Sequence, residues 1–343
     1  MITMLQMAIT APKTITKADV PVPKATPGQV VIKIIRSGIC GSDIHAWHDR
    51  HPFISLPIVT GHEFSGEIAE LGAGVNGLKV GDKVTVMPQL YCGECLNCRE
   101  GRYNICSTLK VIGCQTTGAS QEFLEVDAKL VLQLPDNMSH DEGAMLEPVC
   151  VGVHSCRRIT GGISGKKVVV QGAGTIGNLT AQAAKALGAA AVMITDVSDS
   201  RLELAKKCKI DYTVNIATQD LEKAIKELWG EDGADAIIEC VGLQSAIDQA
   251  INIARKGSDI IVAGVFGDMA TVNMGLVQDK ELNLLGTLMY TKEDWMDTIK
   301  FVSEKKIVVE PLMSARFPLS KLDEAFLFIE DNKDIAIKVL IES

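Results

Sequence analysis

A glycine-rich turn between an apolar run and a helical pattern constrains the fold of this sequence more than any other feature. The apolar residues 168–170 lead into Gly172, Gly174 and Gly177, which are spaced as G-x-G-x-x-G. In a strand–turn–helix unit the first glycine permits the tight turn, the second lets the backbone approach a diphosphate, and the third brings helix and strand together. The spacing therefore predicts a nucleotide-binding βαβ unit.

Further apolar runs follow this turn at the spacing of alternating strands and helices. Helix-like patterns separate most of these runs. The predicted strands cover residues 191–195, 212–215, 234–240, 259–266 and 282–288. Strands that alternate with helices form a parallel sheet that is covered by helices. The pattern predicts an α/β protein with a doubly wound Rossmann domain over residues 151–286.

The second strand of this predicted domain ends at Asp196, which indicates the choice of cofactor. A carboxylate at that position accepts hydrogen bonds from the adenosine ribose hydroxyls and would repel a 2′-phosphate. We therefore predict NAD, with NADP as the alternative because Arg201 is nearby; Asp196 could instead cap the next helix. The residues predicted to contact NAD are Gly172, Gly174, Thr175, Ile176, Gly177, Asp196, Arg201 and Val241.

A second motif consists of Cys92, Cys95, Cys98 and Cys106, spaced C-x2-C-x2-C-x7-C. Thiolates at this spacing can surround one ion with the tetrahedral sulfur set that structural zinc prefers. An iron–sulfur cluster is the alternative, but its bacterial motif ends in a shorter gap followed by proline, whereas Ser107 follows here. Cysteine clusters in large reduced proteins hold metal more often than they form disulfides. The motif therefore predicts a structural zinc site.

The first half of the chain has a different pattern. Residues 1–150 contain short extended runs broken by glycine, proline and aspartate, which is typical of a β-rich barrel. Within them Cys40, His62, Glu63 and Glu147 offer one thiolate, one imidazole and two carboxylates. These groups suit an open catalytic zinc site. Their separations along the chain are too long for spacing alone to assign them.

Charge and hydropathy exclude several classes of function. The net charge is −9 and the chain has no basic run, which argues against a nucleic-acid partner. No apolar stretch is long enough to span a membrane, and the N-terminal residues lack the pattern of an export signal. We therefore predict a cytoplasmic protein with no nucleic-acid or membrane partner.

Several of these segments together resemble the zinc-dependent medium-chain dehydrogenase/reductase family. They are residues 38–45 (GICGSDIH), residues 61–72 (GHEFSGEIAELG), the four-cysteine segment and the glycine-rich turn, which occur in the family's order and span essentially the whole chain. The pair Glu147-Pro148 is more similar to the polyol, butanediol and threonine dehydrogenases than to liver-type alcohol dehydrogenases. The resemblance implies a GroES-like catalytic domain formed by residues 1–150 and 287–343.

The resemblance also implies a catalytic zinc site. Cys40 and His62 are then zinc ligands. Glu63 and Glu147 share the remaining protein contact, one directly and the other through water, and their order stays open at this point. With the four-cysteine site, the resemblance implies two zinc ions per chain, one catalytic and one structural.

A proton relay follows from the same resemblance. Ser42 and His45 match the family's relay, in which a hydroxyl passes the alcohol proton through the nicotinamide ribose to an imidazole near solvent. Histidine suits this role because imidazole titrates near neutral pH. The zinc favours ionisation of the alcohol, and NAD+ accepts the hydride. We thus expect Ser42, His45 and Glu63 to take part in catalysis.

The expected substrate is a secondary alcohol within a polyol or vicinal diol, which is oxidised to a ketone. Sorbitol-like relatives usually carry an arginine in the segment that returns to the catalytic domain, but residues 286–295 contain none. L-Threonine and sugar-alcohol phosphates are therefore kept as alternative substrates, and a zinc- and nucleotide-bound redox sensor without turnover is an alternative of another class. Arg316 and Lys338 are interpreted as surface charges. Family members commonly form homodimers or homotetramers.

Overall fold

The computed structural model describes residues 2–343, which divide into two compact units. The first unit runs to Glu147 and resumes over Met313–Ser343, and the second is Pro148–Leu312. In the described part of the chain, no helix has both the length and the apolar character needed to cross a membrane.

The secondary structure follows the predicted change from a strand-rich first half to alternating strands and helices. The strands are β1 (Thr3–Ala11), β2 (Thr14–Pro21), β3 (Gln29–Gly38), β4 (Glu63–Leu71), β5 (Lys83–Val86), β6 (Gln89–Leu90), β7 (Lys110–Val111), β8 (Phe123–Asp127), β9 (Val131–Gln133), β10 (Lys167–Gln171), β11 (Ala191–Asp196), β12 (Tyr212–Asn215), β13 (Ala236–Glu239), β14 (Asp259–Val262), β15 (Asn283–Gly286), β16 (Met313–Pro318) and β17 (Lys338–Glu342). The α-helices are α1 (Gly41–Trp47), α2 (Leu96–Arg99), α3 (His140–Arg157), α4 (Thr175–Ala186), α5 (Asp199–Lys207), α6 (Leu221–Trp229), α7 (Gln244–Ile253), α8 (Met274–Asp279), α9 (Lys292–Ser303) and α10 (Leu322–Asp331).

The first unit is built around a sheet in the order β16-β17-β3-β4-β5-β9, with β8 also paired to β3. Two small sheets, β1-β2 and β6-β7, complete it. Strand β17 comes from the end of the chain and pairs antiparallel with β3. Trp47, Phe326 and Ile341 lie in its apolar core. The predicted β-rich catalytic domain is confirmed, and its central strand has a neighbour from the C-terminal segment.

The second unit contains one sheet in the order β12-β11-β10-β13-β14-β15, in which all neighbouring strands are parallel. The central strands are apolar because helices cover the sheet: Val169, Ile237 and Ile260 are fully buried. The order reverses between β10 and β13, which is the crevice where doubly wound sheets bind nucleotides. The predicted Rossmann fold is confirmed.

The second compact unit extends beyond residue 286, where the predicted nucleotide-binding domain ends. The second unit continues to Leu312 because α9 buries Trp295 and Val302 within it. The amide of Gln182 on α4 also exchanges two hydrogen bonds with the backbone of Val308, at 3.1 and 2.8 Å. An amphipathic helix must cover its apolar face, and α9 does so against the nucleotide-binding unit.

A buried carboxylate fixes the start of α9. Asp294 caps the helix with Thr291 and accepts hydrogen bonds from Arg157 at 2.6 Å and from His154 at 2.9 Å. Burial alone would raise the pKa of Asp294, but the hydrogen bonds from His154 and Thr291 lower it below its ordinary value. The carboxylate is therefore ionised in the folded protein and joins α9 to the end of α3.

We expect Asp294→Asn to lower the free energy of unfolding by about 2 kcal/mol at pH 7, because a buried hydrogen-bonded charge is lost. Since the pKa of Asp294 is depressed on folding, this contribution is complete above its ordinary pKa of 3.8 and is lost as the pH falls below that value. Urea denaturation of the wild type and the variant at pH 7 and near pH 3.5 measures the difference.

The matched control is Asp297→Asn, which removes the exposed partner of the same Arg157 side chain. It should change the free energy of unfolding by less than about 0.5 kcal/mol. An equal loss in both variants, or a loss for Asp294→Asn that does not shrink at low pH, would contradict the role of the buried carboxylate.

Candidate metal and cofactor sites

Strand pairing assembles a group of metal-binding side chains in the first unit. Gly38 at the end of β3 lies opposite Glu63 at the start of β4. Cys40 follows β3 and His62 precedes β4, so the antiparallel pair brings them to the same place. Ligand atoms of Cys40, His62 and Glu63 all lie within 4.8 Å of one another. The predicted convergence of these three residues is thus observed.

Gly38 leaves the space that the Glu63 side chain occupies. A Cβ atom at position 38 would lie 2.2 Å from Glu63 Oε2, which is far closer than non-bonded atoms approach. Any other residue at this position would displace the carboxylate. The glycine is therefore needed for the position of Glu63 rather than for an unusual backbone angle.

The interpretation of Lys338 as a surface charge is wrong. Its side chain is 4% exposed, and its Nζ donates to Glu63 Oε1 at 2.7 Å and Oε2 at 2.5 Å. It also donates to the carbonyl of Ile39 at 3.2 Å. Burial lowers the pKa of Lys338, but the charges of Glu63 and Cys40 outweigh this and raise it. Because β17 pairs with β3, the end of the chain supplies a buried cation to the metal-binding group.

Two residues that sequence reasoning missed surround His62. Asp43 is buried, accepts a hydrogen bond from the Cys40 backbone at 2.8 Å, and has Oδ1 3.9 Å from His62 Nδ1. Cys114 Sγ lies 3.9 Å from the same nitrogen. Asp43 was detectable as a helix-capping acid three residues after Cys40, whereas Cys114 has no local signal.

The electrostatics of this site favour a bound cation. Burial lowers the pKa of His62, but the negative charges of Cys40 and Asp43, with a hydrogen bond to Cys114, raise it well above its ordinary value. A buried set that attracts a proton this strongly is short of positive charge. Thiolate, imidazole and carboxylate are also the ligand types that zinc binds. The residues therefore fit a divalent zinc ion.

The other predicted catalytic residues lie on helices. Ser42 and His45 are on α1, where His45 is exposed and Ser42 Oγ is buried without a hydrogen-bond partner among residues 2–343. Glu147 is buried on α3 and is not part of the group formed by Cys40, His62 and Glu63.

The four cysteines of the 92–106 segment form a second ligand group. Their sulfur atoms all lie within 4.8 Å of one another. Cys92 Sγ is 3.9 Å from Cys98 Sγ and 3.5 Å from Cys106 Sγ, and Cys95 Sγ is 3.9 Å from Cys106 Sγ. A tetrahedron with zinc–sulfur bonds of about 2.3 Å has edges of about 3.8 Å. The segment thus has the geometry of a closed tetrahedral zinc site.

Thiolates in this group are stabilised by backbone donors. The N–H of Cys95 points to Cys92 Sγ at 3.3 Å, and that of Cys92 points to Cys106 Sγ at 3.4 Å. Hydrogen bonds from the backbone of Ser107 and Cys98 lower the pKa of Cys95 to about 5, whereas burial and the neighbouring thiol of Cys95 raise the pKa of Cys98 to about 12. A thiol that ionises as readily as that of Cys95 is ready to bind metal.

The glycine-rich turn has the close approaches that its spacing predicts. Gly172 has φ of 90°, which favours glycine, and a Cβ atom at Gly177 would lie 1.7 Å from the carbonyl oxygen of Gly172. A Cβ atom at Gly174 would have no neighbour within 4 Å, so this face of the turn is open. Helix α4 begins immediately after it. The open turn at a helix N-terminus fits a diphosphate group.

Asp196 lies at the end of β11 beside this turn. Its Oδ2 accepts the N–H of Ala173 at 2.7 Å, and its Oδ1 accepts the N–H of Ser198 at 2.9 Å. Arg201 Nη1 is 3.9 Å from the carboxylate. Ser198, not Asp196, is the N-cap residue of α5. Each carboxylate oxygen keeps acceptor capacity, so the position fits recognition of ribose hydroxyls.

Val241 covers the opposite side of the turn. A Cβ atom at Gly172 would lie 2.9 Å from Val241 Cγ2, and Val241, which follows β13 closely in the chain, is 40% exposed. The structure therefore brings the predicted cofactor residues from β10, α4, β11 and β13 to one edge of the sheet.

Comparison with known protein families covers both units. Residues 26–136 match the family described as "Alcohol dehydrogenase GroES-like domain", and residues 175–304 match the family described as "Zinc-binding dehydrogenase". The first range contains both ligand groups, and the second begins inside the glycine-rich turn and includes Gly177 but not Gly172 or Gly174. The two descriptions agree with the zinc and nucleotide sites that the geometry indicates.

Individual relatives match nearly the whole chain. Sorbitol dehydrogenase from Ovis aries is 34% identical over 345 residues, which cover 98% of this chain and 96% of that protein. D-arabitol-phosphate dehydrogenase from Enterococcus avium is 33% identical, with 95% and 93% covered. The crystal structure of galactitol-1-phosphate dehydrogenase from Escherichia coli has a TM-score of 0.92 and 30% identity, with 99% of this chain and 100% of that chain covered.

The similarity over the full length, the two ligand groups and the nucleotide-binding turn have one explanation. The protein is an alcohol oxidoreductase whose cofactors are NAD and two zinc ions. The chain belongs to the zinc-dependent medium-chain dehydrogenase/reductase family, in the branch that includes sorbitol dehydrogenase.

Proposed function

We propose that this enzyme oxidises a secondary alcohol of a polyol or vicinal diol to the ketone, with NAD+ as hydride acceptor. The observation that carries the proposal is the convergence of Cys40, His62 and Glu63 beside a buried Lys338 in a chain that also carries a nucleotide-binding turn. The relatives named above act, by their names, on sorbitol and on sugar-alcohol phosphates. This supports a polyhydroxylated substrate.

We assign the catalytic zinc to Cys40, His62 and Glu63, with Glu147 in an outer position. Glu63 is preferred over Glu147 because its carboxylate belongs to the group of ligand atoms within 4.8 Å. When bound, the zinc supplies Lewis acidity that favours loss of the alcohol proton. Lys338 balances the charge of Glu63, and Asp43 holds the Cys40 backbone, so that the ligands keep their positions.

The proton leaves through α1 in this proposal. Ser42 Oγ is buried and has no acceptor or donor among the residues that the structure describes, so it is available to a substrate hydroxyl. His45 lies on the same helix and is exposed to solvent. Ser42 would accept the proton of the alcohol while giving up its own, and the exposed His45 would release a proton to water.

The remaining assigned residues hold the cofactors. Cys92, Cys95, Cys98 and Cys106 bind the structural zinc. The residues that bind NAD are Gly172, Gly174, Thr175, Ile176, Gly177, Asp196, Arg201 and Val241. In this assignment Asp196 binds the adenosine ribose, and Arg201 stays paired with that carboxylate.

We also propose a homodimer or homotetramer in the cytoplasm. Strand β15 is one of the two edge strands of its sheet, and an edge strand can pair with that of a second copy around a two-fold axis. None of the ten cysteines forms a disulfide, which suits a reducing compartment.

The substrate assignment can be tested by NADH absorbance with a panel of hexitols, vicinal diols, polyol phosphates and L-threonine, before and after chelation. We expect turnover of a polyol or diol that disappears on chelation and returns with zinc. Faster turnover of a polyol phosphate or of L-threonine would replace the proposed substrate class. No turnover by a protein that holds two zinc ions and binds NADH would contradict the proposed reaction.

We expect Lys338→Met to make the protein depend more strongly on zinc. Without the ammonium group, the buried Glu63 carboxylate of the metal-free protein has lost its counter-charge, at a cost of about 3 kcal/mol. Zinc can still neutralise the carboxylate. The rise in melting temperature from the chelated to the zinc-loaded state should therefore be larger in Lys338→Met than in the wild type.

Lys338→Arg is the matched control, because it keeps the charge, and its zinc-dependent rise should be close to that of the wild type. The structural zinc contributes equally to all three proteins. A rise in Lys338→Met that is equal to or smaller than the wild-type value would show that Lys338 does not balance the metal-binding group.

His45→Ala should lower kcat by at least about tenfold, because the proton loses its exit to solvent. Added imidazole buffer should restore part of the rate. The control is His48→Ala, one turn further along, whose imidazole is paired with Glu330 at 3.3 Å. An unchanged kcat in His45→Ala, or an equal loss of kcat in His48→Ala, would remove His45 from the relay.

A further inference from the structure

A fully buried amide lies directly after the glycine-rich turn. Asn178 is at the end of the first turn of α4 and is 0% exposed. Its Nδ2 donates to the carbonyl oxygen of Ala173 at 2.6 Å and to that of Gly174 at 3.2 Å. Buried helix positions are usually filled by apolar side chains. A polar side chain here needs a reason, and both of its hydrogen bonds go to the turn.

The turn is held from its other side by Asp196. Asp196 Oδ2 accepts the N–H of Ala173 at 2.7 Å. Ala173 is therefore fixed at both of its backbone groups, with the N–H bound by the ribose-reading carboxylate and the carbonyl bound by Asn178. This connects the residue assigned to the adenosine ribose with the segment assigned to the diphosphate.

Because peptide groups are planar, the hydrogen bonds to these two carbonyls also fix the direction of the N–H groups that follow them. The carbonyl of one residue and the N–H of the next lie in one plane and point in opposite directions. By holding the carbonyls of Ala173 and Gly174, Asn178 directs the N–H groups of Gly174 and Thr175 away from itself. N–H groups at the start of a helix are the ones that bind phosphate.

The remaining atom of the amide argues against a purely structural role. Asn178 Oδ1 is buried and has no hydrogen-bond partner within residues 2–343. A buried acceptor without a partner costs free energy, whereas an apolar side chain of the same shape avoids that cost. An amide is thus less favourable than an apolar side chain at this position, unless its two donated hydrogen bonds are needed to hold the turn.

We propose that Asn178 is a positioning residue for the diphosphate of NAD, which acts by fixing the carbonyls of Ala173 and Gly174. The inference rests on the proposed role of the glycine-rich turn in binding the diphosphate. It concerns the affinity for a dinucleotide and makes no demand on the zinc site or on the alcohol substrate.

Asn178→Leu tests this proposal. We expect the dissociation constant of NADH, measured by fluorescence titration, to rise about tenfold, because the two hydrogen bonds that orient the turn are lost. ADP-ribose, which carries the diphosphate, should lose affinity by the same factor as a competitor of NADH. Adenosine, which has no phosphate, should change by less than about twofold. The melting temperature without cofactor should stay close to the wild-type value, because removal of the unpaired Oδ1 offsets the lost bonds.

Gln182→Met is the matched control. Gln182 is a second buried amide on α4, one turn further along, and both of its hydrogen bonds go to Val308 instead of the turn. This variant should lower the melting temperature and leave the NADH dissociation constant unchanged. Asn178→Asp serves as a second test variant if Asn178→Leu does not fold, since it keeps the shape and replaces the donor by an acceptor. It should weaken binding of NADH by more than tenfold through repulsion from the two carbonyls and the diphosphate.

Three results would overturn the proposal: an NADH dissociation constant within twofold of the wild type in Asn178→Leu or Asn178→Asp, an equal loss of affinity for adenosine, or an equal loss of NADH affinity in Gln182→Met.

Failure of the underlying assignment gives other results. If the wild type bound ADP-ribose no better than adenosine, the turn itself would not bind the diphosphate. If NADH bound normally but no alcohol was oxidised, the proposed reaction would fail and the role of Asn178 would stand.

Discussion

The buried ion pair between Lys338 and Glu63 is the interaction on which the metal-binding half of the molecule depends. Both side chains are almost completely excluded from solvent, and either charge alone would be costly to bury. The pair forms only when β17 and β4 are both paired in register with β3, one on each edge of that strand. The last strand of the chain therefore supplies the counter-charge for a ligand group whose members all lie near the start, so the site requires the folded sheet.

The nucleotide-binding half relies on the backbone rather than on charge. Gly172 and Gly177 approach each other more closely than residues with a side chain could, since a Cβ atom at Gly177 would overlap the carbonyl oxygen of Gly172. The N–H groups of the turn and of α4 then provide the positive end of the interaction with a diphosphate. Orientation matters more than charge in such a site, which is why buried hydrogen bonds from Asn178 and to Asp196 have a place in it.

Sequence reasoning succeeded where the signal is local. The cysteine spacing, the glycine turn and the strand–helix alternation each fit within a few tens of residues, and the parallel sheet and the sulfur group follow from them. It failed at Lys338, because the burial and the partner of this lysine depend on pairing between strands from opposite ends of the chain. One clue was present: a lysine that opens a strand of otherwise apolar residues must find a counter-charge if the strand is buried. Asp43 was missed because its position in the first turn of a helix is already explained by capping, and its contact with His62 is not visible in the sequence.

The extent of the second unit could not be predicted from strands alone. The segment after β15 reads as a return to the first domain, yet α9 stays with the nucleotide-binding unit because Asp294 is held by His154 and Arg157. Such a contact involves two helices whose sequence patterns are independent, so no periodicity reveals it.

Buried residues of the metal-binding group tolerate substitution less well than exposed residues. The groups that hold metal are bonded to one another: Glu63 to Lys338, Cys40 to Asp43, and His62 between Asp43 and Cys114. A substitution in this network disturbs several partners at once. An exposed residue such as Phe53, whose side chain is 76% exposed while its carbonyl is held by Gln115 at 2.9 Å, can change without such a cost.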